Sequence, residues 1–383
     1  MNNTVRPLVL VVEDNEVNRE VCQMNLEMED IEVMTAADGQ QALDMVAVRK
    51  PDVILLDIMM PVMDGRQVLD TLKSNPETAS IPVAMLTAKA APSDMVDALR
   101  AGAHVYIKKP FDIDELIAQV QTLIQLKKAE DQIREFQKEL LEELDLAKKL
   151  QDSFAPSHEA IEHLLQAGYN SFLFSRSASV VNGDLVHVQT LPNDSFVLSV
   201  ADCMGHGVSA ALLGAIVKSL LQEVGCCHLR PETALAELNQ RLRTLVENDL
   251  VAAVYIVKSE EMPGLNLSRA GFPWPLVLRK NGTVEVIEEG GPPLVVAQLP
   301  YMASHIELHP GDRLLLFSDG LMEAQSTDGD LFGFPESRFH ARLKELGSKT
   351  TLKEFGEAII AEWEAFMESP DDDCTLVILE KTQ

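Results

Sequence analysis

The sequence predicts an α/β domain and an α+β domain joined by a long helix. Over residues 8–125, short aliphatic runs alternate with helical patterns, which is typical of parallel βα repeats. From residue 123 to about 154 the chain has neither Gly nor Pro, and beyond residue 160 groups of strand-like segments surround long helical ones. Since 383 residues with 46% hydrophobic content exceed one ordinary core, we expect a first domain at 1–125, a helical linker at 126–156 and a second domain at 157–383.

Composition narrows the class of protein. Lys and Arg number 32 against 60 Asp and Glu, and the formal net charge of −28 would repel nucleic acid and anionic membrane surfaces. Five scattered cysteines without a CxxC pair predict neither a disulfide framework nor a zinc site. The chain shows no leader pattern, and no apolar run is expected to approach the ~20 residues of a membrane span. These features predict a cytoplasmic protein that binds neither nucleic acid nor membrane.

Five strands are predicted in the first domain, and reactive side chains follow four of them. The strands are Leu8–Val12, Glu32–Thr35, Val53–Leu56, Val83–Leu86 and Val105–Ile107. Glu13 and Asp14 follow the first strand, Asp57 the third and Thr87 the fourth, and Lys109 comes shortly after the fifth. Because ligands gather beyond the carboxyl ends of parallel strands, we expect these side chains to converge.

Three carboxylates in one place predict a bound cation. Glu13, Asp14 and Asp57 would repel and raise one another's pKa unless a hard ion such as Mg²⁺ neutralised them. Asp57 is the natural phosphoryl acceptor. Thr87 can donate a hydrogen bond to one phosphoryl oxygen, and the Lys109 ammonium can pair with another.

Four motifs in this half resemble the receiver domain of bacterial two-component response regulators. They are VEDN at 12–15, LLDIMMPVMDG at 55–65, LTA at 86–88 and KKP at 108–110. The resemblance implies a flavodoxin-like (βα)5 fold, phosphorylation of Asp57 by a cognate histidine kinase, and Mg²⁺ held by Glu13, Asp14, Asp57 and the Met59 carbonyl. It also implies a cis peptide bond before Pro110 and a switch role for Tyr106, whose ring turns inward on phosphorylation.

The connector has one apolar stripe on a predicted long helix. Apolar residues recur mostly three or four apart, at Leu126, Ile133, Phe136, Leu140, Leu144, Ala147, Leu150 and Phe154. A parallel coiled-coil homodimer would bury this stripe, although Glu143 interrupts the register, and packing onto one of the chain's own domains is the alternative. The segment ends at Pro156. Residues 144–156 also resemble the linker before the phosphatase domain in regulators of bacterial stress-sigma pathways.

The second domain again has acids at strand ends and turns. Its predicted strands are Leu185–Gln189, Ser195–Val200, Ala252–Val257, Pro275–Arg279, Arg313–Phe317 and Thr375–Leu379, and its predicted helices are Val208–Glu223, Glu232–Val246 and Leu352–Phe366. Asp184 follows a glycine, Asp202 and Asp319 are expected to close strands, and Asp372 precedes the last strand. Four such acids fit a site for two Mn²⁺ or Mg²⁺ ions, which activate water and clamp a phosphoryl group without a Ser or Cys nucleophile.

A second resemblance, to the metal-dependent PPM serine/threonine phosphatases of the sporulation stage II E type, rests on four patterns. They are GD at 183–184, ADCMGHGVSAALL at 201–213, LLLFSDGLMEA at 314–324 and DDDCTLVIL at 371–379. The resemblance implies that the metal pair is held by Asp184, Asp202, Asp319 and Asp372. It also implies a tight backbone turn at Gly205 and Gly207, which His206 would stabilise.

Two departures from that family's pattern bear on activity. His187 stands where the family has an acid, so a peripheral metal contact would be weakened. Phe272 stands where the family has a histidine after Ala-Gly.

Two functions are compatible with these patterns. In the first, a kinase phosphorylates Asp57, the helix transmits the change, and the metal site dephosphorylates a phosphoserine or phosphothreonine on an anti-sigma-factor antagonist. In the second, the second domain is degenerate and the protein is a non-catalytic adaptor that delivers a stress sigma factor to a protease. The four retained acids favour the first, and His187 and Phe272 favour the second. A weaker third hypothesis is a dimerisation scaffold whose receiver reports oligomeric state.

Overall fold

In the computed structural model the chain forms two compact units, Met1–Leu140 and Leu141–Gln383. The structure describes residues 6–87, 101–205, 207–227, 229–246, 249–260, 262–347, 351–367 and 371–382. Within these residues each unit has its own buried hydrophobic clusters.

The first unit contains a parallel sheet with the strand order β2-β1-β3-β4-β5. Its strands are β1 (Leu8–Val12), β2 (Glu32–Ala36), β3 (Val53–Asp57), β4 (Val83–Thr87) and β5 (Val105–Lys108), and its helices include α1 (Glu16–Met28), α2 (Gly39–Val48) and α3 (Gly65–Ser74). Alternate residues of β1 belong to two different hydrophobic clusters, so both faces of the sheet are covered. The five predicted strands are confirmed, and the last four extend one residue further than predicted.

Side-chain caps fix where the first three helices begin. Asn15, Asp38 and Asp64 each accept a hydrogen bond from the backbone N–H three residues ahead. The cap at Asn15 ends the loop after β1, so Glu13 and Asp14 are held between a buried strand and a defined helix start.

A 40-residue helix, α4 (Ile113–Asp152), begins in the first unit and ends in the second. Leu116, Val120 and Leu123 are buried in one of the hydrophobic clusters of the first unit. Beyond them the apolar stripe is exposed: Ile133 is 59% exposed and Phe136 is 66% exposed. The predicted long helix is therefore confirmed, and its stripe remains accessible in the single chain.

The second unit stacks two antiparallel sheets with the strand orders β13-β10-β9-β8-β7 and β12-β11-β14-β15-β6. The strands are β6 (Tyr169–Arg176), β7 (Asp184–Thr190), β8 (Phe196–Cys203), β9 (Val251–Lys258), β10 (Leu265–Ala270), β11 (Leu276–Leu278), β12 (Val284–Val286), β13 (Ala303–Ile306), β14 (Arg313–Phe317) and β15 (Cys374–Lys381). One hydrophobic cluster joins the facing sides of both sheets. This arrangement confirms the predicted α+β sandwich.

The helices of the described residues cover the outer faces of this sandwich, except for the first, whose Ala160 and Leu164 lie in the cluster between the sheets. They are α5 (His158–Gln166), α6 (Val208–Gly225), α7 (Pro231–Leu245), α8 (Asp319–Met322), α9 (Glu336–Gly347) and α10 (Leu352–Phe366). Residues of α6 and α7 share a cluster with one sheet, and residues of α9 and α10 share a cluster with the other. The three predicted helices are confirmed to within two residues at their ends.

The expectations for α6, Asp202 and Asp319 need correction. By length and composition alone, the 18 residues of α6 are apolar enough to cross a membrane; here Leu213, Val217 and Leu221 pack against the sheet as in a core helix. Asp202 does not close its strand, because β8 continues to pair with β9 as far as Cys203. Asp319 is the first residue of α8 rather than the end of β14.

Candidate phosphoryl-acceptor and metal sites

The acids of the first unit converge at the carboxyl edge of the parallel sheet. Glu13, Asp14 and Asp57 can each place a carboxylate oxygen within 4.8 Å of the other two. In the described part of the chain, no other group of three His, Cys, Asp or Glu side chains is gathered this closely. Glu13 and Asp57 are only 1% and 5% exposed, whereas Asp14 faces solvent.

Lys109 joins two of these acids. Its Nζ donates to Asp57 Oδ2 at 2.8 Å and to Glu13 Oε2. Burial lowers the pKa of Lys109, but the hydrogen bonds to Asp57 and Glu13 outweigh it and raise the pKa above its ordinary value. One ammonium against three carboxylates leaves excess negative charge, so the donor set fits a divalent cation with oxygen ligands.

The other receiver residues surround Asp57. Thr87 is buried at the end of β4, and its carbonyl accepts a hydrogen bond from the Lys109 N–H. The Met59 N–H points to Asp57 Oδ1 at 3.4 Å, and the Lys109–Pro110 peptide bond is cis, as predicted. The half-buried Tyr106 ring packs against one of the hydrophobic clusters of the unit. Ala88 of the LTA motif lies outside the described residues.

In the second unit, strand pairing places two acids opposite each other. Asp184 begins β7, and its Cα partner on β8 is Asp202. Asp184 is 5% exposed and its Oδ2 accepts a hydrogen bond from Ser318 Oγ at 2.7 Å. The other oxygen, Oδ1, is buried without a partner among the described residues. An unpartnered buried carboxylate oxygen is costly unless a cation binds it.

Asp202 connects the remaining acids. Its carboxyl group is hydrogen bonded to Asp319 and lies in the field of Asp372. Burial, with Asp319 and Asp372, raises the pKa of Asp202 to about 7, and burial with Asp202 raises that of Asp184 well above its usual range. Burial and Glu323 raise the pKa of Asp319. The raised pKa values of Asp184, Asp202 and Asp319 show that ionisation of these three acids is disfavoured, as expected of carboxylates that a cation would neutralise.

Three residues that hold the second site in place were not predicted from the sequence. Asp373 is 3% exposed, and its carboxylate accepts the backbone N–H groups of Ala178 and Gly183. Ser318 holds Asp184, and Gln151 bonds to Asn182 beside it. The run of three aspartates at 371–373 was the available signal for Asp373. The other two contacts had none, because their partners are distant in sequence.

The turn after Asp202 has the backbone that its glycines predict. Gly205 and Gly207 have φ values of +94° and +78°, which lie in the left-handed region where other residues are strained. Helix α6 begins directly after this turn, at Val208. His206 lies outside the described residues.

The two departures, His187 and Phe272, are core residues. His187 is three residues from Asp184 on β7 and therefore points to the opposite face, towards Lys218 of α6. Burial and Lys218 lower its pKa from 6.5 to about 4, so it is neutral at pH 7. Phe272 is 1% exposed in the cluster between the sheets. The weakening of a peripheral metal contact at this position stays a prediction.

A cleft of about 430 Å³ opens beside Asp202 and Asp319. Its lining includes the aromatic residues Phe272, Trp274 and Phe334, and Trp274 is 42% exposed. The Arg269 guanidinium stacks over the Trp274 ring at 5.9 Å. A carboxylate cluster with an adjoining apolar cleft can hold a charged group and the chain that carries it.

Comparison with known proteins assigns each half to a class. The family model described as response regulator receiver domain matches residues 9–121, and the model described as stage II sporulation protein E (SpoIIE) matches residues 192–382. The chain therefore has an N-terminal receiver domain and a C-terminal domain of the SpoIIE family.

Two curated relatives each match about a third of the chain. The response regulator PleD of Caulobacter vibrioides is 42% identical over 127 residues, which are 33% of this chain and 28% of PleD. The response regulator MprA of Mycobacterium avium is 40% identical over 123 residues, which are 32% of this chain and 53% of MprA. The chain thus spans between about a quarter and a half of the length of these curated relatives.

A solved structure matches a longer part of the chain. The SiaA-PP2C domain of Pseudomonas aeruginosa has a TM-score of 0.56 and 22% identity, over 64% of this chain and 98% of that domain. This likeness establishes a PP2C-like fold for the second unit.

Proposed function

We propose that the protein is a response regulator whose phosphorylation on Asp57 controls a metal-dependent protein serine/threonine phosphatase. The observation that carries the proposal is that each unit brings acids together at its strand ends: Glu13 and Asp57 in the first, Asp184 and Asp202 in the second. A phosphoryl acceptor and a site for phosphoryl hydrolysis in one chain are what a phosphatase controlled by phosphorylation requires.

In the receiver domain, Asp57 takes the phosphoryl group from a cognate histidine kinase. A carboxylate oxygen attacks phosphorus, and the bond to the kinase histidine breaks. Lys109, which is already hydrogen bonded to Asp57, balances the added charge, and the Thr87 hydroxyl donates to a phosphoryl oxygen. Glu13, Asp14, Asp57 and the Met59 carbonyl would hold Mg²⁺, which supplies further positive charge at the acceptor.

In the SpoIIE-family domain, Asp184, Asp202, Asp319 and Asp372 would hold two Mn²⁺ or Mg²⁺ ions. Bound there, the ions supply Lewis acidity towards water and a phosphoryl group. Ser318 and Asp373 keep Asp184 in place, and the aromatic cleft receives the polypeptide beside the phosphorylated residue. Cys203 and Cys374 are unsuited as nucleophiles, because burial raises the pKa of both thiols.

The proposed partners follow from the two family resemblances and the exposed helix. They are a histidine kinase, a phosphorylated anti-sigma-factor antagonist as substrate, and a second copy of the chain bound through the stripe on α4, all in the cytoplasm. The stripe supports the dimer because large apolar side chains such as Phe136, 66% exposed, need cover.

Turnover of a phosphoprotein by the full chain tests the enzymatic half of the proposal. With Mn²⁺ we expect phosphate release from a phosphoserine protein, and Asp202→Asn should lower the rate more than about a hundredfold, since changes one shell further out already cost 10- to 100-fold in metal affinity or activity. Asp328→Asn, at an exposed position, is the matched control. Equal rates in Asp202→Asn and the control would overturn the phosphatase assignment.

The adaptor hypothesis rested on His187 and Phe272. His187 points away from Asp184, whereas Phe272 lines the cleft beside Asp202, so Phe272 is the departure that still bears on this hypothesis. Stoichiometric binding of a sigma factor without any phosphate release would support it.

A further inference from the structure

Gln151, near the C-terminal end of α4, hydrogen bonds with both backbone groups of Asn182. Its side-chain Oε1 accepts the Asn182 N–H at 2.7 Å, and its Nε2 donates to the Asn182 carbonyl. A primary amide has one donor and one acceptor side by side, so Gln pairs with a peptide unit as a neighbouring strand would. Both residues belong to the second unit.

Asn182 is in turn tied to the metal-site acid two residues further on. Its side-chain Oδ1 accepts the Asp184 N–H at 2.8 Å, and its Nδ2 donates to Ser175 Oγ at 2.8 Å. Between them, the Gly183 N–H donates to Asp373. A side chain at Gly183 would place its Cβ 2.8 Å from the Cys203 carbonyl oxygen, so this segment lies tightly against β8. The Asn182–Asp184 segment is thus held by Gln151 on one side and by Asp373 on the other.

The end of α4 is anchored but not close-packed over this segment. The Phe154 carbonyl, just beyond the helix, accepts a hydrogen bond from Lys218 Nζ at 2.9 Å. A cavity of about 560 Å³ lies beside the end of α4, and its lining residues include Gln151, Phe154, Asn182 and Asp184. Space beside the helix end allows the helix to shift, and a shift would break or reform the pair between Gln151 and Asn182 first.

We propose that Gln151 is a positioning residue through which the end of α4 sets the affinity of the Asp184–Asp202 site for its metal ions. The inference rests on the proposed function and names the contact by which the helix acts on the site. With the pair formed, Asn182 fixes the backbone of Asp184 and so the direction of its carboxylate opposite Asp202. With the pair broken, Asp184 loses that support and the site binds metal more weakly.

The test compares full-length wild type, Gln151→Glu and Gln137→Ala. Glu keeps the size and the acceptor of Gln but removes the donor to the Asn182 carbonyl. Gln137 is an exposed residue of the same helix and serves as the control. Mn²⁺ binding is measured by calorimetry, and phosphate release from a phosphoserine protein is measured as a function of Mn²⁺ concentration. Because the receiver acids are the same in all three proteins, differences report the second site.

We expect Gln151→Glu to weaken Mn²⁺ binding about tenfold and to raise the Mn²⁺ concentration for half-maximal turnover equally, with Gln137→Ala unchanged. The thermal midpoint of Gln151→Glu at saturating Mn²⁺ should match the control, which a general loss of folding would not give. Unchanged Mn²⁺ binding in Gln151→Glu overturns the inference, whatever the turnover. Weakened binding in proteins that release no phosphate supports the inference and instead removes the proposed phosphatase function.

Discussion

Burial distinguishes Asp184 from an ordinary surface carboxylate. Asp184 and Asp202 face each other across two strands, where like charges destabilise the pair. Solvent screens this repulsion poorly, because Asp184 is 5% exposed. Burial raises the pKa of both groups, and the charge of Asp202 adds to the effect at Asp184, as Asp319 and Asp372 do at Asp202. A bound cation would remove this unfavourable electrostatic energy, so the arrangement favours cation binding.

Trp274 is expected to act in substrate binding rather than in chemistry. It is 42% exposed in the cleft beside Asp202, so Trp274→Ala removes apolar contact surface without touching an acid. We expect KM for a phosphoprotein to rise about tenfold with kcat unchanged, as for loss of uniform binding. Hydrolysis of p-nitrophenyl phosphate, which has no flanking chain, should be unaffected. A fall in kcat for the small ester would show that the residue serves the metal site instead.

His187 is expected to make the second unit sensitive to acid. Burial and Lys218 lower the pKa of His187 in the folded state from 6.5 to about 4. Below pH 6.5 the unfolded chain therefore binds more protons than the folded one, and the free energy of unfolding decreases as the pH is lowered. Between about pH 7 and pH 5 the loss is about 2 kcal/mol. His187→Leu should abolish this part of the loss.

Urea unfolding followed by tryptophan fluorescence measures the effect selectively. Both tryptophans of the chain, Trp274 and Trp363, lie in the second unit. Equal acid-induced losses in wild type and His187→Leu would show that the histidine is not the sensitive group.

Among the elements, α4 combines two kinds of surface on one helix. Its first turns bury Leu116 and Val120 in the core of the first unit, whereas the later stripe residues are largely exposed. The stripe residues Ile133, Leu140 and Ala147 are spaced seven apart, with Phe136 and Leu150 three residues after the first and the last. This is the spacing of the contact seam of a two-stranded coiled coil.

A charge in this seam should dissociate the proposed dimer. Leu140→Glu places a carboxylate at a seam position, so we expect the protein to sediment as a monomer at concentrations where wild type is dimeric. Leu141→Glu is the matched control, because Leu141 is the next residue, is 61% exposed and lies off the seam. Dissociation by both variants, or by neither, would contradict pairing through this face.

At the scale of the whole molecule, two independently packed units share one continuous helix. Each unit has its own hydrophobic clusters, and α4 contributes buried residues to the first and Gln151 to the second. This helix is the route by which the proposed phosphorylation of Asp57 would act on Asp184.

Occupancy of Asp57 should change the phosphatase rate. Addition of beryllofluoride, which imitates the phosphoryl group on a carboxylate, is expected to shift the turnover of the full chain by between about 5- and 150-fold, the usual range of coupling between two sites. Asp57→Asn should show the same basal turnover and no response. A response that persists in Asp57→Asn would mean that beryllofluoride acts at the second site. The absence of a response in wild type would show that the receiver domain does not control the rate of phosphate release.

The sheet of the receiver domain, the long helix and the grouping of Glu13, Asp14 and Asp57 could be predicted from the amino-acid sequence. Buried strands such as β3 are continuous aliphatic runs, and Asp57 ends that run, so local pattern sufficed. Polar strands such as β6 were missed because pairing with β15, about 200 residues away, stabilises them rather than their own pattern.

The contacts that hold the second site together, and the face that each of its residues uses, could not be predicted from the sequence. Ser318 reaches Asp184 across 134 residues of sequence, Asp373 reaches Gly183 across 190, and Gln151 reaches Asn182 across 31. Tertiary structure also turned His187 and Phe272 into core residues, since strand parity and packing set their direction. The sequence specifies the type of each residue, but the contacts that give a side chain its role come from residues that are distant in sequence and close only in the folded chain.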